Sequence, residues 1–548
     1  MAVDPEEAKE SDPISVSRPP QNDATLRAGL APQTRRPYHG ATPSRPLLRR
    51  VGYGSFLFAL LVYGLVFAFF APYLAPLLVL PILILSVVAI WALPSDGRRP
   101  PERLLEWLFY AFLVVRVAWP NYLAIVIPGL PWITLLRLVD TPMVVTLLVC
   151  ASTSKSFRAI VFDHLKVQPI TVSLLVSFVV IQALSIVMSG EKGVSTEEFV
   201  NAQLSQTSVF FIAIFVFSRK SRAELWTRIL WALVVFVGTI ALIEYKMRHI
   251  VWAGHVPAFL QIQDENVAKI LQGAMRAGTS QYRAQSTFST SLGLSEFNAL
   301  ALPFILYLAF QSKRLVWRVL AAATVPFLLL VTLATGSRLG MVGACVTFLM
   351  YTFIWGVRRW RLQRGDIVGP AVVLTYPIMA SAFLAATLFV GRLRRVVWGG
   401  GETALSTDAR KTQYAMGIPK VLHNPFGYGI GQDGVVLNFR DPSGRLTVDT
   451  YYLATALQYG VLGFVAYYGM FAWPVIRSLR IILLTELDPR GAGVLIPACV
   501  SIANFLVIKS VFAQEDNHPL VFMILAMVVV ASGERATPKP TAAAARLP

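Results

Sequence analysis

The sequence predicts an all-α polytopic integral membrane protein, a helical bundle of about 12 to 14 transmembrane helices with long, partly helical loops. Of the 548 residues, 55% are hydrophobic and only 14% are charged, and the mean hydropathy is +0.59. This composition is too apolar for an ordinary soluble domain. Apolar windows of roughly 18 to 22 residues, long enough to cross a bilayer core, recur from Tyr53 almost to the C-terminus. Since backbone groups in lipid must be satisfied within each segment, these windows are predicted to be helices.

Composition and loop length divide the chain into seven parts. The first 50 residues contain eight prolines among polar residues and are predicted to be a disordered cytoplasmic tail. The remaining parts are transmembrane helices at 51–245, an outer loop at 246–292, further transmembrane helices at 293–390, a large outer loop at 391–450, C-terminal transmembrane helices at 451–533 and a cytoplasmic tail at 534–548.

Basic residues predict the orientation of the chain. Every second connection between apolar windows is rich in Lys and Arg, whereas intervening connections such as SGEKGVSTEE and AQEDNH are acidic or nearly free of cations. Because cytoplasmic loops of membrane proteins carry the Lys/Arg excess, both termini are predicted to be cytoplasmic. The loops at 246–292 and 391–450 then lie on the outer side of the membrane.

Sequence signals for a metal or nucleotide cofactor are weak. The three cysteines, Cys150, Cys345 and Cys499, each lie within an apolar run, which is typical of small buried hydrophobic residues rather than of a disulfide framework or a zinc site. The glycines at 427, 429 and 431 do not have dinucleotide-fingerprint spacing, and no strand precedes them. No cofactor is therefore expected.

One arginine interrupts the apolar stretch VTLATGSRLGMVG at 331–343. Arg338 falls on the outer side, at the predicted start of a helix that runs inward. A helix N-terminus presents free N–H groups and partial positive charge, so 336–338 is a candidate anion site. The alternative is an interfacial arginine that reaches toward lipid phosphates.

The two outer loops carry more cations than the charge rule requires. The first contains Lys246, Arg248, Lys269, Arg276 and Arg283, and the second contains Arg392, Arg394, Arg395, Arg410, Lys411, Lys420, Arg440 and Arg445. A basic outer surface suits an anionic lipid-linked substrate, and it equally suits bulk anionic phospholipid.

A helix is predicted within the second loop. Ser406, Thr407 or Asp408 is expected to cap it, and Pro419 is expected to kink or end it. Its apolar positions share one face at helical spacing: Tyr414, Ile418, Val421 and Leu422. The following glycines predict a tight irregular turn where backbones can approach closely.

Several segments together resemble the O-antigen ligase and Wzy polysaccharide polymerase family of the bacterial inner membrane. They are RAQSTFSTSLGLSEFNALALP at 283–303, TGSRLG at 335–340, DARKTQYAMGIPKVLHNPFGYGIG at 408–431 and VDTYYLATALQYGVLG at 448–463. The resemblance implies a metal-independent glycosyltransferase that takes a glycan from a polyprenyl diphosphate at the periplasmic face and transfers it to an acceptor hydroxyl. It also implies that Arg338 and Arg410 bind the diphosphate. Arg283, Lys411 and His423 are further candidates for substrate binding.

The sequence departs from this family at Asp449. Ligases of the family carry a histidine just before the corresponding outer helix, where this chain has the aspartate of VDTYYL. Asp449 is a candidate catalytic residue that accepts the acceptor's proton, although an ordinary aspartate is a weak base at neutral pH. The alternative is that Asp449 caps the helix beginning at Tyr451.

The resulting expectation is a polymerase that joins lipid-linked oligosaccharide repeat units into exopolysaccharide or O-antigen. One alternative is a ligase that transfers finished glycan to lipid A core in lipopolysaccharide synthesis, and another is a lipid-linked glycan flippase or secondary transporter. Expected partners are the polyprenyl-diphosphate-linked glycan, membrane lipid, and a flippase and chain-length or export proteins, with no nucleic acid. Glu244, Glu296 and Lys509, near outer helix ends, are candidate sugar contacts.

Overall fold

The computed structural model describes residues 100–126, 132–260, 265–275, 281–363, 365, 367–391, 404–441, 444, 446–484 and 493–533, with four isolated positions between 62 and 90. The chain divides into two compact units, Met1–Tyr73 and Leu74–Pro548, and everything below concerns the second. The predicted tails and the first spans lie outside the described residues. The same holds for the loop cations Arg276, Arg392, Arg394, Arg395 and Arg445.

Helices account for almost all regular structure in the described residues. They are α1 (Glu102–Ala118), α2 (Leu135–Thr153), α3 (Lys155–Leu165), α4 (Pro169–Met188), α5 (Lys192–Ala202), a π-helix (Gln203–Thr207), α6 (Ser208–Phe217), α7 (Arg222–Met247), a short 3-10 helix (Ala258–Leu260), α8 (Glu265–Leu271), α9 (Ser291–Gln311), α10 (Leu315–Ala334), α11 (Arg338–Leu362), α12 (Val368–Phe389), α13 (Ala404–His423), α14 (Asp433–Leu437), α15 (Tyr451–Leu484), α16 (Leu495–Lys509) and α17 (His518–Gly533). Two antiparallel pairs of two-residue strands, β1 (Ala124–Ile125) with β2 (Ile133–Thr134) and β3 (Ala274–Met275) with β4 (Tyr282–Arg283), lie in connections.

The described part contains nine helices long and apolar enough to cross a membrane. These are α2, α4, the continuous α5–π–α6 segment, α7, α9, α10, α11, α12 and α15, and two shorter apolar helices, α16 and α17, accompany them. The prediction of an all-α, multi-pass membrane protein is confirmed. The predicted total of about 12 to 14 spans includes residues outside the described ranges and stays a prediction.

Helix α9 lies at the centre of this unit, with 83% of its apolar window buried, whereas only 6% of the α12 window is buried. Small residues bring α11 close to α9: a side chain on Gly340 would collide with Ser295, and one on Gly343 would collide with Ala299. Such small-residue contacts are a usual way for membrane helices to pack closely. Here they hold the start of α11, and therefore Arg338, against the buried α9.

Four helices begin on the same side of the unit, which we call the loop side: α9, α11, α15 and α17. The Gly340 N–H donates to Ser295 Oγ at 2.8 Å, which joins the starts of α11 and α9. Asn517 Nδ2 donates to the Gly293 carbonyl at 2.9 Å, which joins α9 to the start of α17. The Tyr451 hydroxyl donates to Glu515 Oε1 at 3.0 Å and adds α15. The partial positive charges of four helix N-termini are thus gathered on the loop side.

Candidate functional site

Arg338 is the first residue of α11, as predicted from the sequence. The Leu339 N–H donates to the Ser337 hydroxyl at 3.2 Å, so Ser337 caps the helix. Gly336, in the turn before it, has a φ of 60°, which glycine adopts without strain. The Arg338 side chain is exposed. It therefore stands at the surface of the loop side, at a helix N-terminus whose Leu339 and Gly340 N–H groups already donate to the hydroxyls of Ser337 and Ser295.

Arg283 lies against the same turn. Its Nε donates to the Thr335 carbonyl at 2.9 Å, and its aliphatic part packs over Gly336. The Ala284 N–H also donates to the Ala334 carbonyl at 3.0 Å. The structure thus brings Arg283 to the turn that carries Arg338.

Arg410 and Asp449 form a second pair, between α13 and the start of α15. The Asp449 N–H donates to Gln413 Oε1 at 2.8 Å, which fixes this position against α13. Burial raises the pKa of Asp449 above its ordinary value, the Arg410 guanidinium opposes this rise, and the Asp441 carboxylate adds to it. The Nε of Arg410 is buried and donates to no group among the described residues. The site therefore holds a carboxylate of increased basicity beside a guanidinium with an unused donor.

The cap of α15 is Thr450, so the alternative that Asp449 caps this helix is wrong. The Leu453 N–H donates to Thr450 Oγ1 at 3.4 Å, and the first helical backbone bond runs from Ala454 N to the Thr450 carbonyl. Asp449 lies one residue too early for the capping position. Its carboxylate therefore does not serve as the helix cap.

Helix α13 differs from the prediction at both ends. It begins at Ala404, so Ser406, Thr407 and Asp408 lie inside it rather than capping it, and it continues past Pro419 to His423. A proline removes only one helical N–H, and α13 packs closely on α15, where a side chain on Gly417 would collide with Leu453. We infer that this packing holds the last turn in place.

The glycine turn at 427–431 interlocks with a break in α15. All three glycines have positive φ: 86° at Gly427, 109° at Gly429 and 76° at Gly431. The backbone of α15 is non-helical at Gly460, with φ 68°. There the Gly429 N–H donates to the Gln458 carbonyl at 3.0 Å, and the Val461 N–H donates to the Pro425 carbonyl at 2.9 Å. The predicted close backbone approach is confirmed, and its partner is the interrupted helix.

An apolar groove of about 250 Å³ runs between α13 and α15. It is lined by the apolar face predicted for α13 and by residues of α15: Tyr414, Ile418, Val421, Leu422, Tyr452, Leu453, Ala456 and Phe464. Arg410 precedes Tyr414 by four residues on α13, so both lie on one side of this helix. The lining of the groove is apolar along its length, and Arg410 lies about one helical turn beyond its Tyr414 end.

A separate polar cavity of about 220 Å³ opens on the loop side. We call it the polar cavity; its lining comes from α4, α5, the π-helix, the glycine turn, the start of α15 and the α16–α17 connection, with Arg116 of α1. Its side chains include Gln182, Glu198, Asn201, Ser205, Gln206, Tyr451, Gln458, Tyr459, Glu515 and Asp516. Arg338, Arg410 and Asp449 do not line it. This cavity was not predicted from the sequence. Its signals were the polar run NAQLSQT at 201–207 within an apolar span and the acidic EDN at 515–517 in a short outer loop.

Glu515 is the most highly connected carboxylate of the polar cavity. Its carboxylate accepts hydrogen bonds from the Tyr451 hydroxyl and from Gln206 Nε2, the latter at 3.4 Å. It also lies 3.4 Å from His518 Nδ1. Burial raises the pKa of Glu515, but His518, Tyr451 and Lys509 outweigh it and lower the pKa to about 2. Glu515 is therefore ionised at neutral pH, and 45% of its side chain is exposed.

The three residues predicted as candidate sugar contacts are all buried: Glu244, Glu296 and Lys509. Lys509 Nζ and Glu296 Oε1 form an ion pair at 3.0 Å, and neither side chain is exposed. Glu244 is also fully buried and accepts from Tyr282 Oη at 2.7 Å and from the Ser286 N–H at 2.6 Å. All three side chains are thus fully enclosed by the protein, and each contacts a polar or charged partner there.

Two candidate binding residues lie at the surface of α13. Lys411 is exposed and pairs with Asp408 at 3.9 Å. His423 is exposed as the last residue of the helix. Neither of them lines the groove or the polar cavity.

Comparison with curated protein sequences finds no match for the chain. A family model does match, over residues 323–468. This segment contains Arg338, Arg410, Asp449, the glycine turn and the break in α15. The matching model is that of the O-antigen ligase family, Wzy_C, so residues 323–468 are similar to this family and the resemblance seen in the motifs between 335 and 463 is confirmed.

Proposed function

We propose that the protein is a polymerase that joins polyprenyl-diphosphate-linked oligosaccharide repeat units into exopolysaccharide or O-antigen. The family match implies a glycosyl-transferring enzyme. The reaction takes place on the loop side. The Lys/Arg excess of the opposite loops assigns those loops to the cytoplasm, so the loop side is the periplasmic face of the bacterial inner membrane. Both termini are then cytoplasmic.

The observation that carries this proposal is that Arg410 lies one helical turn from Tyr414, which lines the apolar groove. A polyprenyl diphosphate combines a highly anionic head with a long apolar chain. The buried, unused Nε of Arg410 is a donor for a phosphate oxygen, and guanidinium groups bind phosphate strongly because they offer two parallel donors. The groove of α13 and α15 accepts the first isoprenyl units beside it.

The chemistry assigned to the site is a glycosyl transfer without a metal or cofactor. The bond between the sugar's anomeric carbon and the diphosphate oxygen breaks, and a bond from that carbon to an acceptor hydroxyl oxygen forms. The hydroxyl proton passes to Asp449. Negative charge gathers on the departing polyprenyl diphosphate, where Arg338 and Arg410 stabilise it; preorganised charge of this kind is usually the largest catalytic contribution.

A second candidate function is an O-antigen ligase, because it would use the same diphosphate site. The aspartate at 449, where ligases carry histidine, favours the polymerase. The family match favours glycosyl transfer over a flippase or secondary transporter.

The test is to delete the gene and measure the masses of the polyprenyl-diphosphate-linked glycans that accumulate in the membrane. Accumulated single repeat units, cleared by the wild-type gene, support the polymerase. Accumulated long chains on the lipid would instead identify a ligase. Repeat units trapped on the cytoplasmic leaflet would identify a transporter, and an unchanged lipid pool would contradict all three assignments.

A further inference from the structure

The polar cavity is chemically unlike the diphosphate site. Apart from two tyrosines, the titratable residues of its lining are the three carboxylic acids Glu198, Glu515 and Asp516 and the single arginine Arg116. The Arg116 guanidinium is already engaged, since its Nε donates to the Asp516 carbonyl at 2.9 Å. Because like charges repel strongly in a partly desolvated site, a diphosphate is excluded from this cavity.

The other lining groups suit a neutral, hydroxyl-rich ligand. Amides of Gln182, Asn201, Gln206 and Gln458 supply both donors and acceptors. The rings of Tyr451 and Tyr459 add apolar surface. Carboxylates accept strong hydrogen bonds from hydroxyls. A sugar presents this mixture of hydroxyl groups and apolar C–H faces, and a cavity of about 220 Å³ is of the size for one or two rings rather than for a long chain.

Local backbone geometry also favours a binding role for this cavity. The five-residue π-helix Gln203–Thr207 interrupts a membrane-crossing segment where Ser205 and Gln206 enter the lining. Short π-helical segments inside α-helices frequently occur at functional sites, because the widened turn redirects side chains. Among the described residues the side-chain amide of Asn201 makes no hydrogen bond, and it lines the cavity one turn before Ser205.

Helix α15 separates this cavity from the apolar groove. Tyr451, Gln458 and Tyr459 of its first turns line the cavity, whereas Tyr452, Leu453 and Ala456 line the groove. At 3.6 residues per turn these two sets lie on different faces of the helix. Asp449 immediately precedes the cap of this helix, at the end shared by both faces.

We propose that the polar cavity binds sugar rings of the acceptor glycan, while the groove on the other face of α15 holds the lipid of the donor. The inference rests on the proposed function, and it assigns the acceptor subsite to residues of α4, α5, the π-helix and the α16–α17 connection. Of these, the segments at 182–206 and 515–519 lie outside the part of the chain that matches the family model.

The first experiment measures binding rather than turnover. The probe is the lipid-free repeat-unit glycan released by mild acid from the host's own polyprenyl-diphosphate pool, titrated into the full-length protein in nanodiscs and followed by saturation-transfer NMR. Wild type should bind it. Asn201→Ala and Glu198→Gln should each weaken binding by about three- to tenfold, the effect of losing one hydrogen bond. The control is Thr196→Ala, on the exposed side of α5, which should bind like wild type.

The second experiment measures transfer with purified lipid-linked units. Asn201→Ala should raise the KM for acceptor by about three- to tenfold while leaving kcat and the donor KM within about twofold of wild type. Absence of glycan binding by wild type, or a variant that raises the donor KM alone, overturns the acceptor subsite. Wild type that binds the glycan in this cavity but transfers nothing leaves the subsite standing and contradicts the polymerase.

Discussion

The Asp449 N–H donates to Gln413 Oε1 at 2.8 Å, which ties the approach to α15 to the middle of α13. Arg410 precedes Gln413 by almost one helical turn, so the same contact places its guanidinium beside the Asp449 carboxylate. Burial raises the pKa of Asp449 and the Arg410 guanidinium lowers it, and burial prevails.

Arg338→Ala and Arg410→Ala should each lower transfer about 10²- to 10³-fold, because each removes a donor to the developing diphosphate charge. The measurement is polymer length on gels together with initial rates in proteoliposomes, at matched protein levels. Arg314→Ala is the control, since this exposed arginine precedes α10 at the end away from the loop side. Normal polymer from either variant would remove that arginine from the mechanism.

Asp449→Asn should abolish transfer while the thermal stability changes little, because the position does not cap α15. The carboxylate form is the active one, so the wild-type rate should fall as pH decreases through the raised pKa of Asp449, at a higher pH than for an ordinary aspartate. The rate–pH profile of kcat measures this. Thr450→Ala is the matched variant: it should lose about 1 kcal/mol of stability as a cap but retain activity. The reverse pattern would identify Asp449 as a structural residue.

Ile418→Ser should raise the KM for the natural polyprenyl donor without affecting a donor that carries a short, water-soluble lipid. Ile418 lines the groove and is 50% exposed, so the change removes apolar contact area with little effect on packing. Rates with the two donors provide the measurement and its internal control. Equal effects on both donors would mean that the groove does not hold the lipid.

Gly460→Ala should prevent the glycine turn from entering the break in α15. The added methyl group would overlap the Pro425 carbonyl, and the positive φ of 68° adds strain. A lower melting temperature and a loss of transfer are expected together. Gly434→Ala is the control, because its nearest neighbour would be 3.8 Å from the added atom. A Gly460→Ala variant with wild-type stability would show that the two segments do not interlock.

Lys509→Met should lower stability by about 3 to 5 kcal/mol, because it leaves the Glu296 carboxylate buried without its partner. Replacing both residues, with Glu296→Gln added, should recover part of this loss, since no charge is then left buried. Thermal unfolding of the two single variants and the double variant measures the coupling. Strictly additive effects would contradict a paired role.

The sequence alone determined the architecture, because crossing a bilayer requires long apolar helices whatever their neighbours are. It also determined the start of α11 at Arg338 and the apolar face of α13, since caps and helical spacing are local properties. Residues in contact across long stretches of chain could not be predicted in this way. Examples are the glycine turn seated in α15, the Lys509–Glu296 pair, and the polar cavity built from segments more than 300 residues apart. Only tertiary packing decided these, because the burial and partner of a polar group depend on which helices surround it.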